Sequence, residues 1–273
     1  MGVKTSLTLE QANTLFSQYI FERIEPTKDG ISDTTYLAFN SAGSYVIKYY
    51  EDATLKQIDA QEQLLKNLHN HKLKVNFVLA HAHDKRWKLF SYIDGKSVLR
   101  PSFIEIRQIA TFLAKMHNLC RVKGSEKNVF ELQRIKEELE TVKSKNINLY
   151  HQLKELGEIK FGKKIGIIHG DLFTDNAKFV SNKLSGVYDF IESGSGSFAQ
   201  DAGIVALSWA SNSQAKRAYF LRCYNSTSKV KLSKEELKSG IRFGTLYYSM
   251  RRFNSKSENL DYRELLKKHR AIK

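Results

Sequence analysis

The stretch from Ile165 to Phe190 constrains this chain more than any other. An apolar run, Ile165 to Ile168, leads into His169-Gly170-Asp171-Leu172, and Asn176 follows five residues after Asp171. Two more strand-like runs, NAKFV and LSGVYDF, flank the turn Ser181-Asn182-Lys183, and the second carries Asp189 near its end. Short apolar runs around a polar turn signal a hairpin, so both carboxylates fall where strands stop. A carboxylate in that position can accept the proton of a hydroxyl and orient its oxygen toward a phosphoryl group. Asn176 and Asp189 supply hard oxygens of the kind that hold Mg2+. The bland alternative is a strand end decorated with turn-forming Asp and Asn.

Upstream, Thr8-Leu-Glu-Gln11 reads as a capping box, with Ala12, Leu15, Phe16 and Tyr19 at helical spacing behind it. Strands are expected at 34–39 and 44–50 around Asn40–Gly43, a helix over about 53–70, and strands at 75–80 and 87–93. After Asp94-Gly95 the pattern turns helical over 103–118, 129–145 and 147–157, and again over roughly 198–270. The fold class this predicts is α+β: an N-terminal β-rich lobe with one helix, residues 1–93, and a C-terminal α-rich lobe, residues 94–273.

Alternation puts Val46, Lys48 and Tyr50 on one strand face. Glu62 lies on the apolar seam Leu55, Ile58, Leu65, where a charge needs a partner, and Lys48 is the expected one; otherwise Glu62 is a solvated residue at the seam's edge. The turn Lys28–Thr35, with Gly30 and Ser32, has the backbone amides and hydroxyls to cover phosphates, and would look the same as an ordinary connector. Asp201 either caps the helix after Asp189 or braces the Asp171 loop by accepting its backbone hydrogen bonds. His117 sits on an apolar helix face and reads as a core histidine.

Composition narrows the classes. The 273 residues carry 44 Lys+Arg against 29 Asp+Glu, a net charge of +15, which favours anionic ligands without choosing among them. The lysines are scattered, and no nucleic-acid motif accompanies them. No apolar run reaches the roughly 18 residues of a membrane span, so a soluble, cytoplasmic protein is expected, with no membrane partner. Met1–Glu10 lacks a secretory pattern but matches a short myristoylation pattern at Gly2 and Ser6. Two cysteines, Cys120 and Cys223, build neither a disulfide framework nor a zinc site, and the pairs His69/His71 and His81/His83 lack a further ligand set.

The segments HGDLFTDNAKF, LSGVYDF and QDAG resemble the aminoglycoside phosphotransferase and choline kinase superfamily. LTLEQANTLFSQY, GISDTTYLAF and RFGTLYYSMRRF extend the resemblance to bacterial type II homoserine kinases. That resemblance implies a bilobal, protein-kinase-like fold using ATP and Mg2+. It makes Asp171 the catalytic base, Asn176 and Asp189 the Mg2+ ligands and Lys48 a phosphate contact. Nucleotide contacts are then expected at Ser91, Tyr92 and Ile93. The implied activity is γ-phosphoryl transfer to the hydroxyl of a small molecule, L-homoserine first and choline, a sugar or an aminoglycoside as alternatives. A non-catalytic nucleotide- or nucleic-acid-binding pseudokinase is the alternative from another class. Homoserine is a zwitterion, so its site needs a cation, from Arg242 or Arg252, and an acid, from Glu192 or Asp201. Choline would need an aromatic cage, with Trp209, Tyr247, Tyr248 and Phe253 as candidates. A polycationic aminoglycoside fits poorly with a charge of +15.

Overall fold

The structure, a computed structural model, describes residues 3–27, 33–121, 129–162, 164–255 and 261–272. The expected phosphate turn, with Ser32, lies largely outside the described residues. The chain forms two compact units: Met1–Gly95 with Ser185–Ile191, and Lys96–Leu184 with Glu192–Lys273.

The first unit opens with α1 (Leu9–Leu15). The Thr8 hydroxyl accepts from the Gln11 N–H, and the Gln11 side chain accepts from the Thr8 N–H, the capping box expected there. Five strands follow: β1 (Arg23–Pro26), β2 (Thr34–Asn40), β3 (Gly43–Tyr49), β4 (Val78–His81) and β5 (Trp87–Ser91), with α2 (Leu55–Asn70) between β3 and β4. They form one antiparallel sheet in the order β1-β2-β3-β5-β4. The short edge strand β1 has no counterpart in the sequence expectation. It ends on Pro26, a residue that only an edge tolerates.

Period-2 alternation decides what each face of this sheet carries. Ala38, Ile47 and Leu89 are fully buried and pack with Ala12 and Phe16 of the α1 region. Their neighbours Lys48 and Lys88 stand directly opposite one another across β3 and β5 and turn to the other face. There α2, seated on Ile58, Leu65 and Leu68, brings up Gln61 and Glu62.

The second unit contains α3 (Phe103–Leu119), α4 (Leu132–Lys145), α5 (Ile147–Leu153), β6 (Ile165–Ile168), β7 (Ala177–Val180), the start of β8 (Lys183–Val187), β9 (Gly194–Ser197), α6 (Phe198–Trp209), α7 (Gln214–Thr227), α8 (Lys234–Asn254) and α9 (Tyr262–Arg270). The helix expected over 147–157 stops at Leu153 and tightens into a 3-10 turn, Lys154–Gly157. Ser181 and Asn182, both at positive φ, make the turn between β7 and β8, and β8 carries the chain into the first unit. β6 pairs antiparallel with β9, Ile168 opposite Gly194.

α6 is the core of this unit, and every residue of it except Ser208 is buried. A Cβ on Gly240 would lie 1.9 Å from the Ala199 carbonyl oxygen, and one on Gly203 would lie 2.0 Å from the Gly240 backbone. Only glycine lets α8 cross α6 this closely. The N-cap of α6 is Ser197, boxed with Gln200, so Asp201 is not the cap. Among the described residues, no helix is long and apolar enough to cross a membrane.

Candidate active site

In the first unit, the Lys48 ammonium lies 2.7 Å from Asp189 Oδ1 and 2.9 Å from Asp33 Oδ2, with the Tyr50 ring 5.1 Å away. Burial works against the charge, but Asp189 foremost, with Tyr50 and Asp33, holds the lysine above its usual range. Asp189 adopts φ 63°, a left-handed conformation that costs a non-glycine residue roughly 1–3 kcal/mol and clusters at functional sites. Gln61 donates to the Tyr50 hydroxyl at 2.7 Å. Glu62 does not pair with Lys48 as the sequence suggested: it pairs with Lys88. The reason is register. Lys88 faces Lys48 from the adjacent strand, its side chain is only 2 % exposed, and a buried ammonium needs a counter-charge of its own.

Ser91 gives its N–H to the Phe77 carbonyl oxygen, and its hydroxyl accepts from the Phe77 N–H. It is committed to the sheet edge rather than available to a nucleotide through those groups. Ser91 and Tyr92 line an open concavity of about 480 Å3 with Tyr45, Leu79 and Asp94. Ile93 packs on Gly186, where a Cβ would come within 2.7 Å of its side chain.

In the second unit the loop from His169 to Asn176 is fixed at both ends by α6. Asp201 accepts from the backbone N–H groups of His169 (2.9 Å) and Gly170 (3.0 Å), Trp209 Nε1 donates to the Leu172 carbonyl (3.0 Å), and Ser208 Oγ accepts from Thr174 N–H (3.1 Å). Asp201 also lies 2.9 Å from His117 Nε2, and His117 Nδ1 lies 2.8 Å from the Tyr224 hydroxyl, so the buried histidine has a partner on both ring nitrogens. Burial would raise the Asp201 pKa, but the hydrogen bond and charge of His117, with His169, bring it below the usual carboxylate range. Gly170, at φ +82°, is needed twice over: a Cβ there would also meet the Glu192 carbonyl oxygen at 2.6 Å.

Asp171 is held from two sides. Asn176 Nδ2 donates to the Asp171 backbone oxygen (2.7 Å) and to its Oδ2 (3.1 Å). The Tyr248 hydroxyl, from α8, lies 2.9 Å from Asp171 Oδ1 and 2.6 Å from the Gly170 carbonyl oxygen. Burial and then the Asp171 charge raise the Tyr248 phenol well above its ordinary value, so it remains a donor.

The acceptor candidates separate clearly. Asp201, fully buried, cannot reach a substrate amine, because its oxygens serve the loop. Arg242 is committed to Glu155 at 3.1 and 3.2 Å, which His269 also engages. Glu192 touches Gly170 through its backbone, and its charge is felt at Tyr248 and Arg251. Arg252, one helical turn beyond Tyr248, donates to the Asp261 carbonyl at 3.3 Å; burial lowers its pKa against the opposing charges of Glu264, Asp175 and Asp261. Trp209 and Tyr247 are core residues, 1 % and 8 % exposed, and do not form a cage. Sequence reasoning missed Asp33, Lys88 and the contact of Tyr248 with Asp171. None of the three carries a motif; each depends on register or helix crossing.

Known proteins share the sequence pattern and the fold of this chain. The chain is 26% identical over 242 residues to a homoserine kinase of Polaromonas naphthalenivorans, covering 80% of this chain and 76% of that protein. Among solved structures it resembles choline kinase LicA from Streptococcus pneumoniae, with a TM-score of 0.68, 16% identity and coverage of 95% and 96%. Macrolide 2'-phosphotransferase MphH from Brachybacterium faecium gives a TM-score of 0.67 at 14% identity, covering 96% and 98%. The fold is protein-kinase-like, an antiparallel sheet unit and a helical unit. Residues 23–225, which include Lys48, Asp171, Asn176 and Asp189, match the APH phosphotransferase enzyme family, and the chain belongs to that family of kinase-like phosphotransferases.

Proposed function

We propose that this chain is an ATP-dependent kinase that transfers the γ-phosphoryl group to the hydroxyl of L-homoserine. The observation that carries the catalytic part is Asp171, a carboxylate fixed by Asn176 and Tyr248 on a loop that α6 anchors at four points. A base so restrained can orient an acceptor hydroxyl and take its proton.

The donor chemistry of the chain suits Mg-ATP. Asn176 directs its amide nitrogen at Asp171, which leaves its carbonyl oxygen as a hard donor, and Asp189 offers a carboxylate; both types suit Mg2+. Mg-ATP, when bound, supplies the phosphoryl group and the metal's charge neutralisation. Lys48 is the cation for the phosphates. Ser91, Tyr92 and Ile93 are the candidates for nucleotide contact, and Glu62 supports the lysine pair through Lys88.

Homoserine as the acceptor is supported by the curated relative of that name and by two groups of the second unit. Arg252 would bind the carboxylate and Glu192 the ammonium, both reached from the elements that carry Asp171 and Tyr248.

The test is ADP release by the purified protein with Mg-ATP and L-homoserine, beside choline, sugar alcohols and an aminoglycoside. Homoserine-dependent ADP formation with O-phospho-L-homoserine as product is expected. Asp171→Asn should lower turnover by about 10²–10⁴-fold, the usual contribution of a positioned base, with Mg-ATP binding retained. Turnover of another acceptor in preference would overturn homoserine alone. Full turnover by Asp171→Asn would remove Asp171 from its role.

A further inference from the structure

The Tyr248 hydroxyl has one proton and two acceptors, Asp171 Oδ1 at 2.9 Å and the Gly170 carbonyl oxygen at 2.6 Å. Its ring is fixed independently of that choice. It packs edge-on against Phe173, centroids 4.7 Å apart, and against Tyr247 at 5.3 Å. The helix beneath it is locked to α6 through Gly203 and Gly240. The proton can therefore turn from one acceptor to the other while the oxygen stays in place.

The consequence is chemical. Asn176 already serves Asp171 Oδ2, so Oδ1 is the oxygen that an incoming hydroxyl would address, and Tyr248 presents a hydroxyl to it. Resting on the kinase activity proposed above, we infer that Tyr248 is a positioning residue that occupies the acceptor's hydrogen-bonding place on Asp171 until an acceptor arrives, and then turns its proton to Gly170 O. With the acceptor bound, its hydroxyl oxygen bonds to the γ-phosphorus, the bond to the β-phosphate oxygen breaks with its electron pair leaving on ADP, and the hydroxyl proton passes to Asp171. Without an acceptor, water would undergo the same steps and waste ATP. A carboxylate oxygen accepts about two hydrogen bonds, so Tyr248 competes with water for Oδ1 and lowers water's occupancy there.

The experiment compares wild type, Tyr248→Phe, Tyr247→Phe and Asp171→Asn. Tyr248→Phe keeps the ring packing and removes only the hydroxyl; Tyr247 packs on Phe130 and Phe243 in the core. Two quantities are read: ADP release with Mg-ATP alone, and phosphohomoserine formed per ADP with L-homoserine present. Tyr248→Phe should raise acceptor-free ADP release about three- to ten-fold, the range of one net hydrogen bond. It should also lower the product-to-ADP ratio, with the KM for ATP unchanged. Tyr247→Phe should match wild type in both.

Unchanged acceptor-free hydrolysis in Tyr248→Phe would overturn the inference. A parallel fall of hydrolysis and transfer, with reduced thermal stability, would also overturn it by making Tyr248 merely structural. Failure of the kinase proposal reads differently: ADP release by wild type would then be no greater than by Asp171→Asn, with and without acceptors, and the inference would fall with it.

Discussion

Asp201 shows how much one buried side chain can decide. It is an acceptor only, and it faces the His169 and Gly170 amides and His117. Asp201→Asn would turn an NH2 group toward one of those donors and leave the His169 or Gly170 amide unpaired. Breaking a buried charged network of this kind costs about 3–5 kcal/mol, so the melting temperature and kcat should both fall. The folded carboxyl titrates below its ordinary value, so its stabilisation is complete above the unfolded pKa, about 3.9, and is lost as pH falls through the lower folded value. The gap in melting temperature between wild type and variant should therefore be widest near neutral pH and narrow below about pH 4; a gap independent of pH would remove the carboxylate's charge from the explanation. At this scale the sequence made Asp171, Asn176, Lys48 and Asp189 legible, because their spacing is set along the chain. The partners were less so. Glu62 stood fourteen residues from Lys48 and looked like its counter-ion, but the register of β3 against β5 delivers Lys88 instead, and register between strands is not written in either one.

Elements act through their crossings, and the crossing of α6 with α8 brings Tyr248 to the Asp171 loop. Gly240→Ala would place a methyl 1.9 Å from the Ala199 carbonyl oxygen, and the helices would have to part. Overpacking costs typically about 1–3 kcal/mol, and here it would also carry Tyr248, two turns along α8, away from Oδ1. A lowered melting temperature and a kcat for transfer reduced more than the KM for ATP is the expected result. Gly244→Ala is the internal comparison: its Cβ would stand 3.3 Å from Ile204 Cγ1 and 3.4 Å from Leu207 Cδ2, contacts that a shift of a few tenths of an ångström relieves, so a smaller effect is expected. Alanine is the better helix former at both positions, so equal losses would mean that crowding anywhere along the α6–α8 interface, not the Gly240 crossing, governs the site. Helices and the hairpin around 181–182 were legible because periodicity and turn chemistry are local. β9 was not. Its sequence, Gly194-Ser-Gly-Ser197, has no strand propensity, and it pairs with β6 in a space so narrow that a Cβ on Gly194 would meet Val129 at 2.1 Å and one on Gly166 the Cys120 carbonyl oxygen at 2.4 Å.

For the whole molecule, the fold and the phosphotransferase class follow from the family, while the acceptor does not: proteins named for choline and macrolide phosphorylation share this fold at TM-scores of 0.68 and 0.67. The property that separates acceptor classes globally is charge. At +15, the chain attracts anions and repels cations over distances of about a Debye length, roughly 10 Å at 0.1 M salt. Raising KCl should therefore weaken Mg-ATP binding, seen as a rising KM. A zwitterion such as homoserine carries no net charge to screen, so its KM should stay nearly flat. An aminoglycoside is repelled, and salt would relieve that repulsion and lower its KM. The three slopes differ in sign, so one titration of KM against salt, run for each substrate, separates the acceptor classes without any variant. A KM for homoserine that rises in parallel with that for ATP would locate the salt effect in a step common to both, such as binding of Mg-ATP before the acceptor, rather than in the field of the protein acting on each substrate.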